Sequence, residues 1–445
     1  MAAAPRAPLG DADRNWRRFV LFRVLFNARF YYPVLAVFFL DLGLSGTEYT
    51  LLNFAWALAI VCTDLPAGVL ADRIGRKPLV VAAAGCMVAE MGLLALAPRN
   101  GGFLLLACCL ANRILSGVAE GMASGADEAL VFDSLAERGR SQEWPRVLDH
   151  VMRWQGLGMM VAMLVGGAVY DPAFMGRLLG HPLGQGTTLR FPIYLNLLTA
   201  GAALAVALGL REPSARTKAV APGAGLADAE VTAWRMVVNA GAWIARTPVA
   251  LFVIVAGVML DSVVRLFLTF SSSYFRGISL PEATFGIVGA TLGGIGLAVS
   301  PVARRMAAAN SVARNYALVA GIVLAGLIGV ACRWPLWGVV FMLPLGAAMM
   351  ALGYFVSYYL NALVDSRHRA TVLSFKGVAF NLGYGFISLV FALVLRAMRD
   401  GGSAQEAVGR GLALLPLWVV GGGLLCFLCF RRHRGLLARV IAPSE

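Results

Sequence analysis

Long apolar stretches alternate with short polar ones along nearly the whole chain. A helix needs about 20 consecutive apolar residues to cross the roughly 30 Å hydrocarbon core of a bilayer. Measured against that length, the pattern predicts twelve membrane-spanning helices. The predicted segments are residues 19–44, 50–70, 78–98, 102–126, 150–171, 190–210, 248–273, 283–303, 315–332, 335–360, 374–396 and 411–430. We therefore expect an all-α membrane protein.

The composition supports a membrane protein and excludes several other classes. Of the 445 residues, 59% are hydrophobic and 14% are charged, whereas about 25% of the residues in a soluble protein are charged. A soluble fold has too little interior to bury that much apolar surface. A disordered chain, a collagen and a secreted disulfide scaffold are excluded as well. The seven cysteines all lie in apolar runs, so we expect no metal site, and no motif indicates a cofactor.

The net charge of +14 reflects membrane topology. With the N-terminus inside, the inside segments carry about 24 Lys and Arg residues and the outside loops about 8, which is the bias of the positive-inside rule. This bias predicts that both termini are cytoplasmic. The basic residues are scattered over many loops, which argues against a nucleic-acid surface. The first apolar stretch is too long for a signal peptide, and we expect an integral protein of a bacterial inner membrane.

The longest polar stretch between predicted helices, residues 212–247, divides the chain in two. It separates an N-terminal bundle of six helices, residues 1–211, from a C-terminal bundle with its tail, residues 248–445. Within the stretch, residues 229–246 have an amphipathic pattern that predicts a helix lying on the inner leaflet. Its apolar face would carry Val231, Trp234, Val237, Val238 and Ile244.

The two halves share short sequence matches. The first aligned residues are Gly43, Ser45 and Glu48 with Gly277, Ser279 and Glu282, without a gap. The second match aligns EALVFDS at 128–134 with NALVDS at 361–366 after one deletion. Two matches at nearly the same offset predict a duplicated six-helix unit. Parallel repeats of this kind build transporters whose halves rock about a central site.

A basic loop with a defined pattern joins the second and third predicted helices. Its sequence is Gly68-Val-Leu-Ala-Asp72-Arg73-Ile-Gly75-Arg76-Lys77. Gly75 allows a tight reversal of the chain, and Gly68 would let the second helix approach a neighbour closely. Asp72 can bond to Arg76 or to the N-terminus of a helix in the other half. The alternative interpretation is a plain basic turn that only sets topology.

This loop resembles the signature loop of the major facilitator superfamily at each defining position, and it lies where that family has it. The resemblance implies twelve helices in two pseudo-symmetric six-helix bundles that transport a solute by alternating access. It also implies that the loop Gly68–Lys77 latches the outward-facing state through Asp72, Arg73 and Arg76. The corresponding loop of the second half has Arg304 and Arg305 but Met306 in place of the aspartate, so the latch is expected on one side only.

Two further patterns of the family are matched in part. Arg113, which is followed by Ser116 and Gly117, is similar to an arginine of helix 4 that the family links to proton coupling. The antiporters of the family carry a glycine run centred on Gly-Pro in helix 5. The chain has glycines at 156, 158, 166 and 167 but no proline among them, so this pattern leaves the direction of transport open.

Several charged residues fall inside the predicted helices. Each of them costs at least about 2.5–3.5 kcal/mol on insertion scales, so we expect each to have a partner or a function. They are Arg29, Asp64, Glu90, Arg113, Glu120, Arg153, Asp261, Arg265 and Lys376. A proton-coupled carrier needs a buried carboxylate near an arginine. The predicted coupling residues are therefore Asp64, Arg113, Glu120, Asp261 and Arg265. Asp64 could face Arg29 or Arg113. Asp261 and Arg265 are one turn apart and could instead form a structural ion pair.

Polar and aromatic residues of four helices predict a substrate cavity. They are Asn27, Arg29, Tyr32, Tyr354, Tyr358, Asn381 and Tyr384. Aromatic and amide groups around a charge suit an amphiphilic organic molecule, although interfacial or packing roles explain any one of them equally well. Glu90 is a weaker coupling candidate, and Lys376 can extend to the interface.

The sequence therefore favours a secondary active transporter, most simply a proton-coupled exporter of a small organic solute working by antiport. Alternatives on the same scaffold are a siderophore or lipid exporter and proton-coupled uptake of a metabolite. A channel or sensor with this fold is a weaker hypothesis. The chain has no HExxH, GxSxG or Walker motif, so an enzyme is not expected. The expected partners are the solute, protons and the bilayer, and a monomer is expected.

Overall fold

The computed structural model describes residues 11–213, 226–364, 369–398 and 404–440, and within them it contains helices and no β-strand. The helices of the first half are α1 (Asp11–Asn27), α2 (Leu35–Leu42), α3 (Gly46–Ile74), α4 (Arg76–Leu96), α5 (Gly102–Ala123), α6 (Ala126–Ala136), α7 (Trp144–Tyr170), α8 (Pro172–Leu179), α9 (Gln185–Thr188) and α10 (Phe191–Leu208). A central helix α11 (Leu226–Arg246) follows. The second half contains α12 (Pro248–Thr269), α13 (Ser271–Gly277), α14 (Phe285–Ala309), α15 (Val312–Ala331), α16 (Met342–Leu363), α17 (Arg369–Ala397), α18 (Ala404–Leu412), α19 (Leu415–Phe430) and α20 (Arg434–Leu437).

The predicted all-α membrane fold is confirmed. Eleven helical stretches of the described residues are long and apolar enough to cross a membrane. The helices α7 and α8 meet at an angle of 82° after Tyr170, and they form a twelfth crossing if the bent pair is counted as one span. The predicted apolar segments therefore correspond one by one to helices, although α7 begins six residues before its predicted start at residue 150.

The first membrane crossing is broken in its middle, which the apolar pattern did not indicate. α1 ends at Asn27 and α2 begins at Leu35, with a short 3-10 helix at residues 32–34 between them. The backbone groups at the break find partners on α10: Phe30 N–H donates to Asn196 Oδ1 at 2.7 Å, and Asn196 Nδ2 donates to Ala28 O at 3.3 Å. Because unpaired backbone groups are costly within a bilayer, Asn196 makes this break possible.

Glycines allow α7 to pack closely on two neighbours. A Cβ atom on Gly166 would lie 1.7 Å from Phe30 O, so only glycine lets α7 pass the break in the first crossing. One residue later, a Cβ on Gly167 would lie 2.8 Å from Gly286 N on α14. Small residues let membrane helices approach at backbone distance. The glycines of the fifth crossing thus join the two halves through the contact of α7 with α14.

The ends of the bundle are defined by their contacts. Asn15 Nδ2 donates to Ser134 Oγ at 2.9 Å and to Arg211 O at 2.8 Å. Asn15 lies near the start of the chain, Ser134 follows the fourth crossing and Arg211 follows the sixth. We call the end of the bundle that carries these three residues the terminal end. The other end, which carries Asp41 and Arg276, is called the opposite end. Across the bundle, α3 packs on α17 and α7 packs on α14.

The central helix α11 packs against the terminal ends of α3 and α17, one helix from each half. Val237 and Ile244 are buried by this contact, whereas Val238 is 63% exposed. The expectation that this apolar face lies on the lipid is therefore wrong for Val237 and Ile244, because protein covers them. The side chains of Val231 and Trp234 lie outside the described part of the structure.

The two matched segments of the halves have different local structures. Ser45 caps α3, where its hydroxyl accepts from Glu48 N–H and the Glu48 carboxylate accepts from Ser45 N–H at 2.7 Å. In the second half, Ser279 has a φ of +61° and Glu282 pairs with Arg276. The aligned glutamates therefore serve a helix cap in one half and an ion pair in the other. The second match ends at residues 365–366, which lie outside the described residues.

Candidate functional site

The motif loop reverses the chain at Gly75, as its sequence predicted. Gly75 has a φ of +96°, a conformation that residues with a Cβ rarely adopt. Beyond it, the backbone N–H groups of Arg76 and Lys77 donate to the two carboxylate oxygens of Glu212 at 2.9 and 2.6 Å. The Arg76 side chain forms an ion pair with Asp133 at 2.7 Å. The loop is thus tied to the ends of the fourth and sixth crossings.

The latch interactions predicted for the loop are met only in part. No atom lies within 4 Å of a Cβ built on Gly68, so the close helix approach expected there is not made in this conformation. Asp72 lies in the last turn of α3, but its side chain is outside the described part of the structure. Arg73 and Lys77 are half-buried. The latch role therefore stays a prediction.

Glu212 is a residue of the loop site that the sequence reasoning missed. It lies 136 residues from Arg76 along the chain, and no local pattern marks it. Burial raises the pKa of its carboxyl group above the ordinary value of 4.5, and the hydrogen bond from Lys77 N–H only partly offsets this. Its carboxylate occupies the N-terminus of α4, where an anion is stabilised by the free N–H groups and the helix dipole.

Arg29 and Glu90 form a closed ion pair in the interior of the first half. Arg29 Nη1 lies 2.5 Å from Glu90 Oε1, and the side chains are 3% and 0% exposed. Arg29 was predicted to line the substrate cavity, and in the present conformation its side chain is instead buried in the pair with Glu90. A charge this deep in a membrane protein needs a partner. Glu90, the weaker coupling candidate, is that partner.

Arg113 lies between two side chains of α3. Its Nη2 donates to Asn53 Oδ1 at 2.9 Å, and its guanidinium carbon lies 5.3 Å from the centre of the Trp56 ring. Only 5% of the Arg113 side chain is exposed. The neighbouring Asn112 donates to Glu90 O at 2.9 Å. Arg113 is therefore oriented by α3 and presents its charge beside an aromatic face.

A row of cations and aromatic rings crosses from one half to the other. Trp56 of α3 meets Tyr384 of α17 edge to face, with ring centres 6.2 Å apart. Arg265 of α12 lies 5.5 Å above the Tyr384 ring. We call Arg113, Trp56, Tyr384 and Arg265 the aromatic bridge. The sequence reasoning named three of its members and missed Trp56, because an aromatic residue in an apolar helix carries no signal of its own.

Polar contacts hold in place the two residues of the aromatic bridge that belong to the second half, Arg265 and Tyr384. Arg265 forms the predicted one-turn pair with Asp261 at 2.7 Å and donates to Asn381 Oδ1 at 3.1 Å. The hydroxyl groups of Tyr384 and Thr269 lie 3.0 Å apart. Asp261 is 7% exposed. Asn381, Tyr384, Asp261 and Arg265, which were predicted separately as cavity and coupling residues, thus form one cluster.

Lys376 and Arg153 do not lie as the sequence suggested. Lys376 Nζ donates to Ser357 Oγ at 3.0 Å in a half-buried position, so it is bound to α16 and does not extend to the interface. Arg153 is exposed and pairs with Asp149 at 2.9 Å one turn earlier. Because α7 begins at Trp144, this pair lies near the terminal end and not in the middle of the crossing.

The two remaining candidate carboxylates have different surroundings. Asp64 was expected to face Arg29 or Arg113, but it lies beside Ser124. Its distance along α3 from Asn53, the partner of Arg113, is roughly 16 Å, which explains the error. Glu120 is half-buried, and the charges that act on it include Arg29, Arg113 and Arg265. Glu120 is therefore close to the aromatic bridge and Asp64 is not.

The other predicted cavity residues, Asn27, Tyr32, Tyr354 and Tyr358, are half-buried. Asn27 donates to Arg23 O at 2.8 Å within α1. Tyr32 packs edge-on against Tyr31 at 5.3 Å. Tyr354 and Tyr358 stack on α16 with ring centres 5.9 Å apart. Their half-buried positions leave part of each of the four side chains accessible.

At the opposite end, polar contacts join the two halves. Arg276 donates to both carboxylate oxygens of Asp41, at 2.6 and 2.7 Å, and Tyr170 donates to the same group at 2.6 Å. The Asp171 carboxylate accepts from Ala283 N–H at 3.0 Å. Burial alone would lower the pKa of Arg276, but hydrogen bonding to Asp41 and the nearby carboxylates outweigh it and raise this pKa well above its ordinary value. The opposite end is therefore closed in this conformation.

Comparison with known proteins agrees with this architecture. The family model described as Major Facilitator Superfamily matches residues 19–388. The inner membrane transport protein YajR of Escherichia coli (strain K12) is 28% identical over 177 residues, which is 39% of this chain. The match spans about a third, 33%, of that relative.

Solved structures share the fold at low sequence identity. The nucleoside transporter NupG superposes with a TM-score of 0.72 at 13% identity, covering 95% of this chain and 100% of that one. A D-xylose–proton symporter superposes with a TM-score of 0.62 at 16% identity, covering 92% and 97%. With the family model matching most of its length, the chain belongs to the major facilitator superfamily, a family of membrane transporters.

Proposed function

We propose that this protein exports a small organic solute in exchange for protons. The observation that carries the proposal is the aromatic bridge, which connects a cation of each half through Trp56 and Tyr384. A rocking movement that opens the opposite end must separate these two rings, so a solute bound beside them is exposed to one side of the membrane at a time. Aromatic faces beside fixed cations suit a solute with a flat apolar part and a polar or anionic group.

Two carboxylates near the bridge are the proposed coupling groups. Asp261 is held by Arg265 at 2.7 Å, and Glu120 lies within the field of Arg29, Arg113 and Arg265. The ionised carboxylate accepts a hydrogen bond from a polar group of the solute, and protonation of either carboxylate removes this acceptor and releases the solute. Proton and solute therefore compete at this site, which is the requirement for exchange.

The proposed orientation places the terminal end in the cytoplasm and both chain termini inside, in a bacterial inner membrane. The bias of Lys and Arg towards this end supports it, and the relative YajR is named as an inner membrane protein. In this orientation the closed end, with Asp41 and Arg276, faces outward. The conformation described here would then receive its solute from the cytoplasm, which is the loading step of an exporter.

The signature loop is proposed to stabilise the opposite conformation. Gly68 has open space beside it in the present state, so α3 can be approached there when the halves close at the terminal end. Asp72, Arg73 and Arg76 would then hold the halves together, while Gly75 and Lys77 maintain the turn through Glu212. The halves, residues 1–211 and 248–445, would move about the central helix, and a monomer suffices for this movement.

The proposal is tested with inside-out membrane vesicles that hold an acidic interior. A panel of fluorescent aromatic anions, cations and neutral compounds is added, and proton release is recorded with uptake of each compound. At least one compound should release protons from vesicles that contain the protein. Asp261→Asn and Glu120→Gln should each lower coupled uptake at least tenfold, while Asp149→Asn, which breaks only an exposed pair, should not.

Two results would contradict the proposal. Unchanged coupling in both carboxylate variants would exclude these groups as the proton site. Solute and proton moving in the same direction would identify a symporter, as in the named D-xylose–proton symporter, and would exclude exchange.

A further inference from the structure

A large apolar groove runs along the outer surface of the second half, away from the aromatic bridge. It has a volume of about 520 Å³ and lies between α12, α15 and α19. Its walls include Phe252, Met259, Tyr316, Gly422 and Phe427. Exposed apolar side chains of α19, such as Leu424 at 58%, continue beside it. The groove therefore opens towards the hydrocarbon of the bilayer.

The terminal end of the groove is positively charged. Arg431 and Arg434 line it there, and both side chains are exposed. The Arg434 guanidinium carbon lies 4.2 Å above the Phe427 ring, which directs the charge over the groove. Among the residues that the structure describes, no carboxylate lies within 4 Å of either guanidinium. Two cations at the membrane surface are thus free to bind an anion.

The groove is long enough to hold an acyl chain. From Trp418 to Arg431, its wall on α19 extends roughly 20 Å at about 1.5 Å per residue, which exceeds half of the roughly 30 Å bilayer core. Gly423 leaves space in the groove, since a Cβ there would meet no atom within 4 Å, whereas Gly422 lets α19 pack closely on Met259 of α12, whose Cε would lie 2.0 Å from a Cβ. A flexible hydrocarbon chain can lie along such a surface with its charged head at the arginines.

We propose that this groove binds one anionic phospholipid from the leaflet at the terminal end. An acyl chain fills the groove, and the phosphate is held by Arg431 and Arg434. A phosphate in water cannot use the apolar wall, and a zwitterionic lipid brings an ammonium group that the two cations repel. The site is independent of the proposed transport reaction, because none of its lining residues belongs to the aromatic bridge.

Native mass spectrometry of the detergent-purified full chain tests the site. The protein is titrated with dioleoylphosphatidylglycerol or dioleoylphosphatidylcholine, and the fraction carrying one lipid is measured. The wild type should retain phosphatidylglycerol at least fivefold better than phosphatidylcholine. The double variant Arg431→Gln, Arg434→Gln should lose this preference. Arg432→Gln removes a charge from the same turn outside the groove and should retain it.

A second pair of variants tests the apolar wall without changing charge. Gly423→Leu places a side chain in the groove, whereas Gly421→Leu places one on the same helix outside it, and both positions have free space. Gly423→Leu should lower phosphatidylglycerol retention at least threefold, and Gly421→Leu should not. Equal retention of the two lipids by the wild type, unchanged retention in the arginine double variant or in Gly423→Leu, or full displacement of lipid by inorganic phosphate would each overturn the proposal.

Discussion

The guanidinium of Arg276 donates to both carboxylate oxygens of Asp41, at 2.6 and 2.7 Å, and so connects α13 of the second half to α2 of the first. The pair is only partly exposed, at 26% and 18%. Tyr170 adds a third hydrogen bond to the same carboxylate. A transporter that opens at this end must break these contacts, so the pair sets part of the free energy between its two states.

Asp41→Asn is expected to weaken the closure of the opposite end. Hydrogen bonds to charged groups contribute about 1.5–3 kcal/mol, and a change of about 1–3 kcal/mol shifts an equilibrium by roughly 5- to 150-fold. Amide hydrogen exchange in Leu35–Leu42 and Ser271–Gly277 should therefore accelerate, while exchange in α15 should not. Exchange as slow as in the wild type at both segments would show that other contacts hold this end closed.

Glu90→Gln should destabilise the protein by about 3–5 kcal/mol, because it leaves the buried Arg29 charge without its counter-ion. Thermal unfolding in detergent measures the loss. The double variant Arg29→Met, Glu90→Met removes both charges and should regain most of the stability. If the pair is structural, the double variant also transports; loss of transport in a stable double variant would assign the pair to coupling.

Glu212→Ala leaves the N-terminus of α4 without its acceptor and should cost about 0.5–2 kcal/mol of stability, the range for loss of a helix cap. The pKa of Glu212 is raised by folding above its ordinary 4.5, so the folded protein binds this proton more tightly than the unfolded one. The stability difference between wild type and variant should therefore widen as the pH falls from neutral and level off below 4.5. Thermal unfolding across that range measures it, with Asp149→Ala as control; a difference that shrinks on acidification would contradict the sign.

Trp56→Ala should raise the KM for the solute at least tenfold, because it removes the ring that Arg113 and Tyr384 contact. Trp56→Phe keeps an aromatic face and should recover part of the affinity. Trp154→Ala removes a ring that is 54% exposed and serves as the control. A wild-type KM in Trp56→Ala would place the solute elsewhere.

Asp72→Asn should reduce transport turnover at least tenfold and leave membrane insertion and folding unchanged, if the loop latches the outward-facing state. Substrate flux in proteoliposomes and the elution profile of the purified protein separate the two effects. The comparison variant is Asp149→Asn, which also removes one carboxylate near the terminal end. Normal turnover of Asp72→Asn would reduce the loop to a topological turn.

Sequence reasoning succeeded where a feature depends on neighbours along the chain. The reversal at Gly75 and the pairing of Asp261 with Arg265 follow from local backbone geometry and helical spacing. It failed where the partner is distant. Glu90, the partner of Arg29, lies 61 residues away in the sequence, and Asp64 lies about three helical turns along α3 from Asn53, the partner of Arg113.

The sequence by itself determined that this protein lies in a membrane, that its crossings are helices and which family it belongs to, because apolar length and short motifs depend only on local order along the chain. Tertiary structure alone decided which charges are neutralised in the interior and which reach the site. It also decided that Trp56 meets Tyr384 and that the end with Asp41 and Arg276 is closed. These are contacts between helices far apart in sequence, and their energies depend on distances that only packing sets.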